Sequence, residues 1–539
     1  MKVVIIGGVA TGASCAARIS RLNKDIEIVI LEKSSHVSYA NCGLPYYIGG
    51  VIKDERDLTV QTKESLKEKF NIDARTNSEV IKIDRENKEV VVKNLLTEEV
   101  YHESYDKLVI STGADPIIPN IKGIYNDRIF TLKNVSDAEK MHKYISENNP
   151  KSAVVIGGGF IGLETMENLS ALGIETTLIE ATDQVLPQLD KDFANILHKE
   201  IIRNGVNLVL NDKVVEIKED NTLYVYTTNN VYEADFVVLA VGVTPNSKIA
   251  KECGLKLGVK DSILVDSHLL TSDSNIYAGG DVISVYNPIT NRNELISLAG
   301  PANKQGRIIA NNICGKETIY KGSIPISIIK LYGYTAASVG INEKTAKQLE
   351  LNYETVITTP NTNASYYPGF SRLYIKVIYE KKTTKILGGQ IIGKKSVDKT
   401  VDTLSAIIFK DGNAQDLMDI DLAYSPVYSS AKNPLNMIGY IIDNIESGLI
   451  KQWQVKSDLN GIYIDIRDEE SYKKSHIEGA INIPFVKLRD NIHQLDKNKK
   501  IYINCYSGLT SYLASRILML EGYECYNLKG GYNFFAISR

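Results

Sequence analysis

Residues 153–164 read AVVIGGGFIGLE, and this stretch decides the fold. Four apolar residues run directly into Gly157, Gly159 and Gly162, at GxGxxG spacing. An apolar run of that length reads as a buried strand. Glycines so spaced allow a tight turn, close approach of backbone to a pyrophosphate, and close packing of the next helix on the sheet. LETMENLSALG then reads as a helix, and ETTLIE as a second strand ending at Glu180. An acid at that strand end suits ribose hydroxyls and repels a 2′-phosphate, so NADH is expected rather than NADPH. The next residues, ATDQVLP, offer no arginine to hold such a phosphate.

The same order of signals opens the chain. KVVIIGG is a strand entering glycine, and GGVATG carries Gly7 and Gly12 with Val9 where a middle glycine would stand. ASCAARISRL reads as a helix rich in small residues, and IEIVILE as a strand ending at Glu32. Free backbone N–H groups at the helix start can hold a pyrophosphate. Two dinucleotide sites in one chain suggest a flavin and a nicotinamide working together. KLVISTGADP (107–116) and FVVLAVGVTP (236–245) are further strands running into glycine turns. NIYAGGDV (275–282) is a strand reaching Asp281, whose acid can bind the ribityl hydroxyls of a flavin, although alone it reads as a turn acid. The fold class expected is α/β, with two Rossmann-like dinucleotide-binding domains.

The chain has 539 residues, too many for one core, and three or four domains are expected. A formal net charge of -3 gives no global basic field for nucleic acid. MKVVIIGGVA begins like a signal peptide but breaks into glycine at once, and no apolar run approaches the roughly 18 residues that span a bilayer. A cytoplasmic protein without membrane or nucleic-acid partners is expected. The six cysteines, Cys15, Cys42, Cys253, Cys314, Cys505 and Cys525, form no CxxC pair, so neither a zinc site nor a disulfide framework is indicated. A functional cysteine must be found from its surroundings.

Through its ordered motifs the chain resembles the pyridine nucleotide-disulfide oxidoreductases over residues 1 to 445. The resemblance implies FAD at Gly7, Gly8, Val9, Ala10, Gly12, Glu32, Lys33, Thr112, Gly113, Asp281 and Ala299. It implies NAD at Gly157, Gly159, Phe160, Ile161, Gly162, Glu180 and Gly242. It also implies a homodimer built through an α+β interface domain. The division expected is FAD-binding 1–115 with 246–325, NAD-binding 116–245, interface 326–445 and a linker at 446–457.

SYANCGLPYY (38–47) holds Cys42 without a CxxxxC partner. The segment resembles the single-cysteine branch of that family, which contains coenzyme A-disulfide reductases, CoA-persulfide reductases, NADH oxidases and NADH peroxidases. Their cysteine cycles through a CoA mixed disulfide or a sulfenic acid. Such chemistry requires an accessible thiolate of low pKa beside the flavin, and GLPYYIGG could begin a helix that favours it. The peroxide-reducing members carry a histidine in the first glycine turn, where this chain has Val9-Ala10-Thr11. Arg18 and Arg21 share a helix face, read either as solvated arginines or as phosphate ligands. The CoA-disulfide reductase pattern implies CoA contacts at Ser14, Arg18, Arg21, Ser38 and Asn41. From the interface domain it brings Tyr367 and Tyr424 to the partner's flavin and cysteine, and Lys432 to CoA phosphate. Tyr366 and Tyr428 stand beside them.

Residues 458–539 restart as IYIDIRDEE, HIEGAINIP, KIYINCYSGLTSYLASRIL and NLKGGY. The β-loop-α order puts Cys505 before a helix, with successive backbone N–H groups cradling its sulfur. The segment resembles a rhodanese domain, in which Cys505 would carry sulfane sulfur. Tyr506 and Thr510 stand where active loops often carry cations, Arg516 follows on the next helix, and Cys525 reads as strand core. The combination resembles CoA-disulfide reductases fused to a rhodanese domain. It implies an NADH-dependent flavoprotein reducing CoA persulfide, polysulfide or CoA disulfide through a Cys42–CoA mixed disulfide. Two alternatives stay open: an NADH oxidase working through a Cys42 sulfenic acid, and a flavin-based thiol sensor or sulfur carrier.

Overall fold

The computed structural model describes residues 1–455 and 460–539. Residues 456–457 of the expected linker and 458–459 of the expected last domain lie outside the described residues. The chain forms two compact units, Met1–Val185 with Val206–Ser323, and Leu186–Gly205 with Ile324–Arg539.

The first unit contains the same α/β layout twice. One parallel sheet runs in the order Ile276–Ala278, Lys107–Ile110, Lys2–Ile6, Glu27–Leu31, Asp73–Arg75. The other runs Asn207–Val209, Glu175–Ile179, Ser152–Ile156, Phe236–Leu239, Ile129–Phe130, again parallel. A three-stranded antiparallel meander accompanies each, Ser78–Asp84 to Val100–Ser104 and Val214–Glu219 to Val231–Ala234. The central strands are apolar without alternation, and Val3, Val4, Ile5 and Val155 are fully buried, as a sheet covered on both faces demands. The helix Ala10–Leu22 begins inside the first glycine turn and packs on Ala299–Ile313. At Gly306 a side chain would stand 2.4 Å from the Thr11 carbonyl oxygen, so the two helices meet backbone to backbone.

The second unit is built on a five-stranded antiparallel sheet ordered Ile326–Leu331, Tyr334–Gly340, Ile386–Gly393, Leu373–Glu380, Tyr353–Thr358. A parallel sheet follows, ordered Lys451–Trp453, Cys525–Leu528, Ile501–Asn504, Ile462–Asp465, Ile481–Asn482. The helix Lys191–Arg203 lies within the range expected for NAD binding, yet it belongs to this unit. The physical reason is Lys376, whose side chain is 1% exposed. Its Nζ donates to Asp190 at 3.1 Å, Asp192 at 2.8 Å and Glu343 at 2.9 Å. Burial alone would lower the ammonium pKa, but the three carboxylates outweigh it and hold Lys376 charged, above its ordinary value.

The chain's last helix, Gly531–Ile537, completes the contact. The Phe534 ring lies 5.3 Å from Phe193 and 6.4 Å from Tyr374. Asn195 and Lys199 donate to the carbonyls of Ser538 and Ala536. Lys529 reaches Glu354 at 2.6 Å, and the Gly530 N–H donates to the Ile357 carbonyl at 3.0 Å. No helix among the described residues is long and apolar enough to cross a membrane. Lys376→Ala would strand three largely buried carboxylates and is expected to destabilise this unit by about 3–5 kcal/mol. Thermal denaturation against the wild type checks this, and an unchanged melting temperature would refute it.

Candidate active site

The two glycine turns are near copies at the level of single hydrogen bonds. In the first, the Gly8 N–H donates to Glu32 Oε2 at 2.9 Å, while Ser34 gives its N–H and hydroxyl to Oε1 at 2.8 and 2.7 Å. In the second, the Gly158 N–H donates to Glu180 Oε2 at 2.7 Å, and Thr182 gives its N–H and hydroxyl to Oε1, both at 2.9 Å. Gly7 and Gly157 have φ of +93° and +108°, a region that side chains rarely enter. A Cβ at Gly12 would lie 1.9 Å from the Gly7 carbonyl oxygen, and one at Gly162 would lie 2.0 Å from that of Gly157. The helices Ala10–Leu22 and Phe160–Ala171 carry no side-chain cap, so their first N–H groups remain available to an anion. Space is open around Gly159, where a Cβ would meet nothing within 4 Å.

Beside the first turn lies a cavity of about 1550 Å³. That exceeds the roughly 300–1,000 Å³ of an ordinary small-molecule site. Gly7, Val9, Ala10, Glu32, Lys33, Thr112, Gly113, Asp281 and Ala299 line it, as do Ser14, Arg18, Arg21, Ser38, Asn41 and Cys42. Gly8 and Gly12 shape the turn without lining the space. Burial raises the Asp281 carboxyl pKa, and the Lys133 ammonium opposes that shift. Arg18 Nε donates to Asn311 at 3.2 Å, Arg21 is exposed with its guanidinium 5.8 Å from the Phe70 ring centre, and Ser14 donates to Asn303 at 2.5 Å. Phe70, Lys133, Asn303 and Arg307 also face the cavity. No motif marks them, because they come from separate elements that only the fold brings together.

Cys42 is exposed, in a 3-10 turn over Asn41–Gly43 that leads into the helix Leu44–Ile48. A helix after the cysteine is therefore present. The expected lowering of the thiol pKa is not: partial desolvation of the sulfur, then the carboxylates of Glu164 and Asp281, push it up. A helix of five residues offers too small a field to offset two nearby acids. The other cysteines are free as well, Cys15 and Cys525 buried within cores.

In the second unit the Cys505 sulfur accepts the Gly508 N–H at 3.2 Å, and the Ser511 hydroxyl oxygen lies 3.2 Å from the sulfur. The Ser511 hydroxyl donates to Asn527 Oδ1 at 2.6 Å, and Asn527 Nδ2 donates to the Gly508 carbonyl at 2.9 Å. The helix begins at Leu509, four residues beyond the sulfur. Arg516 turns away and donates to the Leu449 carbonyl. Arg467 lies nearer the loop, its guanidinium 5.3 Å from the Tyr506 ring centre and 3.7 Å from that of Tyr532, but Asp465 holds it in a bidentate pair. Ser511 and Asn527 were not singled out in the sequence, since serine and asparagine carry no signal until the strand and helix face one another.

Tyr367, Tyr424 and Lys432 belong to the second unit and do not line the first unit's cavity. The Tyr424 hydroxyl pairs with that of Tyr366 at 2.9 Å, not with Tyr367. That bond raises the Tyr424 pKa. Tyr366 and Tyr428 are more exposed than Tyr367 and Tyr424. Phe160, Ile161 and Gly242 accompany the second glycine turn in the first unit.

Two parallel sheets, each ending in a glycine turn locked to a glutamate, are the layout of a protein with two dinucleotide-binding folds. The chain belongs to the pyridine nucleotide-disulphide oxidoreductases, whose model matches residues 1–306. The dimerisation domain of that family matches residues 326–434, and a rhodanese-like domain matches 449–537. Coenzyme A disulfide reductase of Staphylococcus haemolyticus is 36% identical over 440 residues, 81% of this chain and 98% of that protein. The structure of reduced CoADR-RHD from Bacillus anthracis is 42% identical, with a TM-score of 0.97 over 100% of this chain and 98% of that one. An NAD-dependent persulfide reductase from A. fulgidus is 37% identical, with a TM-score of 0.94 over 99% and 100%. A water-forming NADH oxidase from Lactobacillus brevis is 30% identical, with a TM-score of 0.80 over 83% and 99%.

The family implies FAD and NAD(P)H. The residues fit both groups, since each helix opens with uncapped N–H groups at a turn held by a strand-end carboxylate. Gly162→Val is expected to displace the second turn and cut flavin reduction by NADH at least 100-fold, about 2.7 kcal/mol, while leaving FAD bound. Stopped-flow absorbance at the flavin band measures both quantities.

Proposed function

We propose that the chain is an NADH-dependent FAD flavoprotein that reduces CoA disulfide, CoA persulfide or polysulfide. The observation that carries this reading is the cavity itself. It is lined by one cysteine, Cys42, together with Arg18 and Arg21 and the polar residues Ser14, Ser38 and Asn41. A reactive thiol without a protein partner can take an external sulfur, and two cations suit the phosphates of CoA. Two of the named relatives are a CoA disulfide reductase and a persulfide reductase, in keeping with this.

The roles follow from the placements. FAD, when bound, passes electrons from NADH to sulfur. The first turn with Glu32 and Asp281 would hold FAD. Glu180, fixed by Gly158 and Thr182, would accept ribose hydroxyls and repel a 2′-phosphate, which favours NADH. Cys42 as thiolate attacks the substrate S–S bond. CoA thiolate leaves from the disulfide, or hydrosulfide from the persulfide, and a Cys42–CoA mixed disulfide remains. Two electrons originating from NADH then break it, restoring Cys42 and releasing the second thiol. In the rhodanese domain the donors to Cys505 would stabilise its sulfur as an anion while it carries sulfane sulfur.

The domain division follows the same reading with two changes: FAD-binding 1–115 with 246–325, NAD-binding 116–245 without the helix Lys191–Arg203, interface 326–445, and a rhodanese domain that takes the strand Lys451–Trp453 from the expected linker. In a homodimer Tyr367, Tyr424 and Lys432 would serve the partner's site, with tyrosine hydroxyls as proton donors to leaving thiolates. Six free thiols suit a reducing compartment such as the cytoplasm.

Anaerobic turnover tests the reading. NADH consumption is expected with CoA disulfide or CoA persulfide, and Cys42→Ser should lower it at least ~10³-fold. Consumption of NADH only in the presence of oxygen would overturn it. Cys505→Ser should leave CoA-disulfide reduction intact and slow sulfide release from polysulfide. Equal polysulfide rates would remove Cys505 from the pathway.

A further inference from the structure

The single hydroxyl proton of Ser511 faces two acceptors, and the fold holds both within reach. Ser511 and Ser515 are four apart on the helix Leu509–Leu520, and Cys525 and Asn527 are two apart on the strand Cys525–Leu528, so each pair presents one face. The two faces meet. Cys525 Sγ donates to Ser515 Oγ at 3.4 Å, and the Ser511 hydroxyl donates to Asn527 Oδ1 at 2.6 Å. Ser515 in turn donates to the Ser511 carbonyl at 2.8 Å. The second acceptor is the Cys505 sulfur, 3.2 Å from Ser511 Oγ. Asn527 is held from its other end, where Nδ2 donates to the Gly508 carbonyl at 2.9 Å. Gly508, at φ +93°, gives its own N–H to the sulfur at 3.2 Å. Cys505, Gly508, Asn527 and Ser511 therefore close a ring, and Cys505, Ser511 and Asn527 are all buried.

A hydroxyl has one proton to give and two lone pairs to receive. A thiol sulfur is a weak acceptor, so while Cys505 is protonated the Ser511 proton belongs to the amide oxygen of Asn527, and the thiol can donate to Ser511 Oγ. A thiolate reverses the order, because a hydrogen bond to an ionised acceptor is roughly twice as strong as a neutral one. Rotation about the Ser511 Cβ–Oγ bond then brings the proton to sulfur without moving a heavy atom, and Asn527 Oδ1 loses that donor in a buried place. The charged and titratable groups on the surrounding elements have partners of their own. Arg467 is paired with Asp465 and lies against the Tyr532 ring, and the Tyr506 hydroxyl meets that of Ser471. Lys529 is paired with Glu354, and Arg516 donates to the Leu449 carbonyl.

We propose that the Ser511 hydroxyl is a two-position donor, turned to Asn527 Oδ1 while Cys505 is a thiol and to the sulfur once Cys505 is a thiolate. The Cys505 proton leaves to solvent. Ser511 keeps its proton throughout and changes only its direction, no electron moves, and reprotonation of the sulfur reverses the rotation. Asn527 is a positioning residue here, since it reaches the sulfur only through Ser511 and Gly508. It favours the resting thiol by competing for the donor that a thiolate needs. The use of this device rests on the reading of Cys505 as the carrier of sulfane sulfur.

Alkylation of Cys505 by iodoacetamide, followed by peptide mass analysis from pH 5 to 10 in the full-length FAD-loaded enzyme, tests the device. On the rising limb of the wild-type profile, Ser511→Ala should react about 10-fold more slowly and Asn527→Leu about 5-fold faster. On the high-pH plateau all three should agree within about 3-fold, because thiolate nucleophilicity depends only weakly on thiol basicity. In the Ser511→Ala background Asn527→Leu should bring no acceleration, since no proton is left to redirect. A Ser511→Ala profile superimposed on that of wild type overturns the inference. So does a Ser511→Ala rate lower by one factor at every pH, which is the mark of altered access alone. Asn527→Leu without acceleration, or with the same acceleration in both backgrounds, overturns it as well. Polysulfide treatment and mass analysis of the same peptide separate the inference from the reading beneath it. If the alkylation profiles behave as expected but Cys505 takes up no sulfur, the two-position donor stands and the sulfur-carrier role falls.

Discussion

A single hydrogen bond, from a glycine N–H to a strand-end glutamate, sets the geometry on which both nucleotide sites depend. It occurs twice, Gly8 to Glu32 and Gly158 to Glu180, with nearly equal lengths. The carboxylate pins the turn between two parallel strands and leaves the first N–H groups of the following helix unused. In the first copy the effect extends further. The Gly8 carbonyl accepts the Ser38 N–H at 2.9 Å, so the same residue is held from both sides. Ser38 opens the segment that carries Asn41 and Cys42. The sulfur is therefore placed relative to the dinucleotide cradle by one peptide unit and a few residues of chain.

This dependence explains why the first unit could be read so fully from the sequence. Glycine spacing, apolar strands and terminal acids are local signals, and each copy reinforced the other. The α/β class, the paired turns and the lone cysteine were all legible in this way. The environment of Cys42 was not. Glu164 lies 122 positions along the chain from Cys42, and Asp281 much further, so their charges meet the thiol only through folding. A rule about helix N-termini predicted the opposite sign of shift because it considers only the cysteine's own element.

The second unit hid more. Nothing in KDFANILHKEIIR marks it as leaving the dinucleotide half, and Lys376 in LYIKVIYE looks like a surface lysine on a strand. Burial turns that lysine into the centre of three carboxylates, a pairing whose sequence separations run from 33 to 186 residues. The tyrosines show the same limit at short range. SYYPG offered two adjacent rings, and only the folded loop shows that Tyr366 meets Tyr424. The cysteine loop was more legible, because Gly508 and Ser511, which meet the sulfur, lie within six residues of Cys505.

The stretch Lys529–Tyr532 belongs to two structures at once. Lys529 and Gly530 bond to the strand Tyr353–Thr358, whereas Tyr532 donates its N–H to the Cys505 carbonyl at 2.8 Å. The sulfur-bearing loop and the antiparallel sheet thus share a splice of four residues. A domain joined in this way cannot be exchanged freely for another member of its type. A grafted module would need this glycine pair, an aromatic ring to replace Phe534 and a cation opposite Glu354. A substitution on either side of this seam therefore reaches the other side through the same four residues.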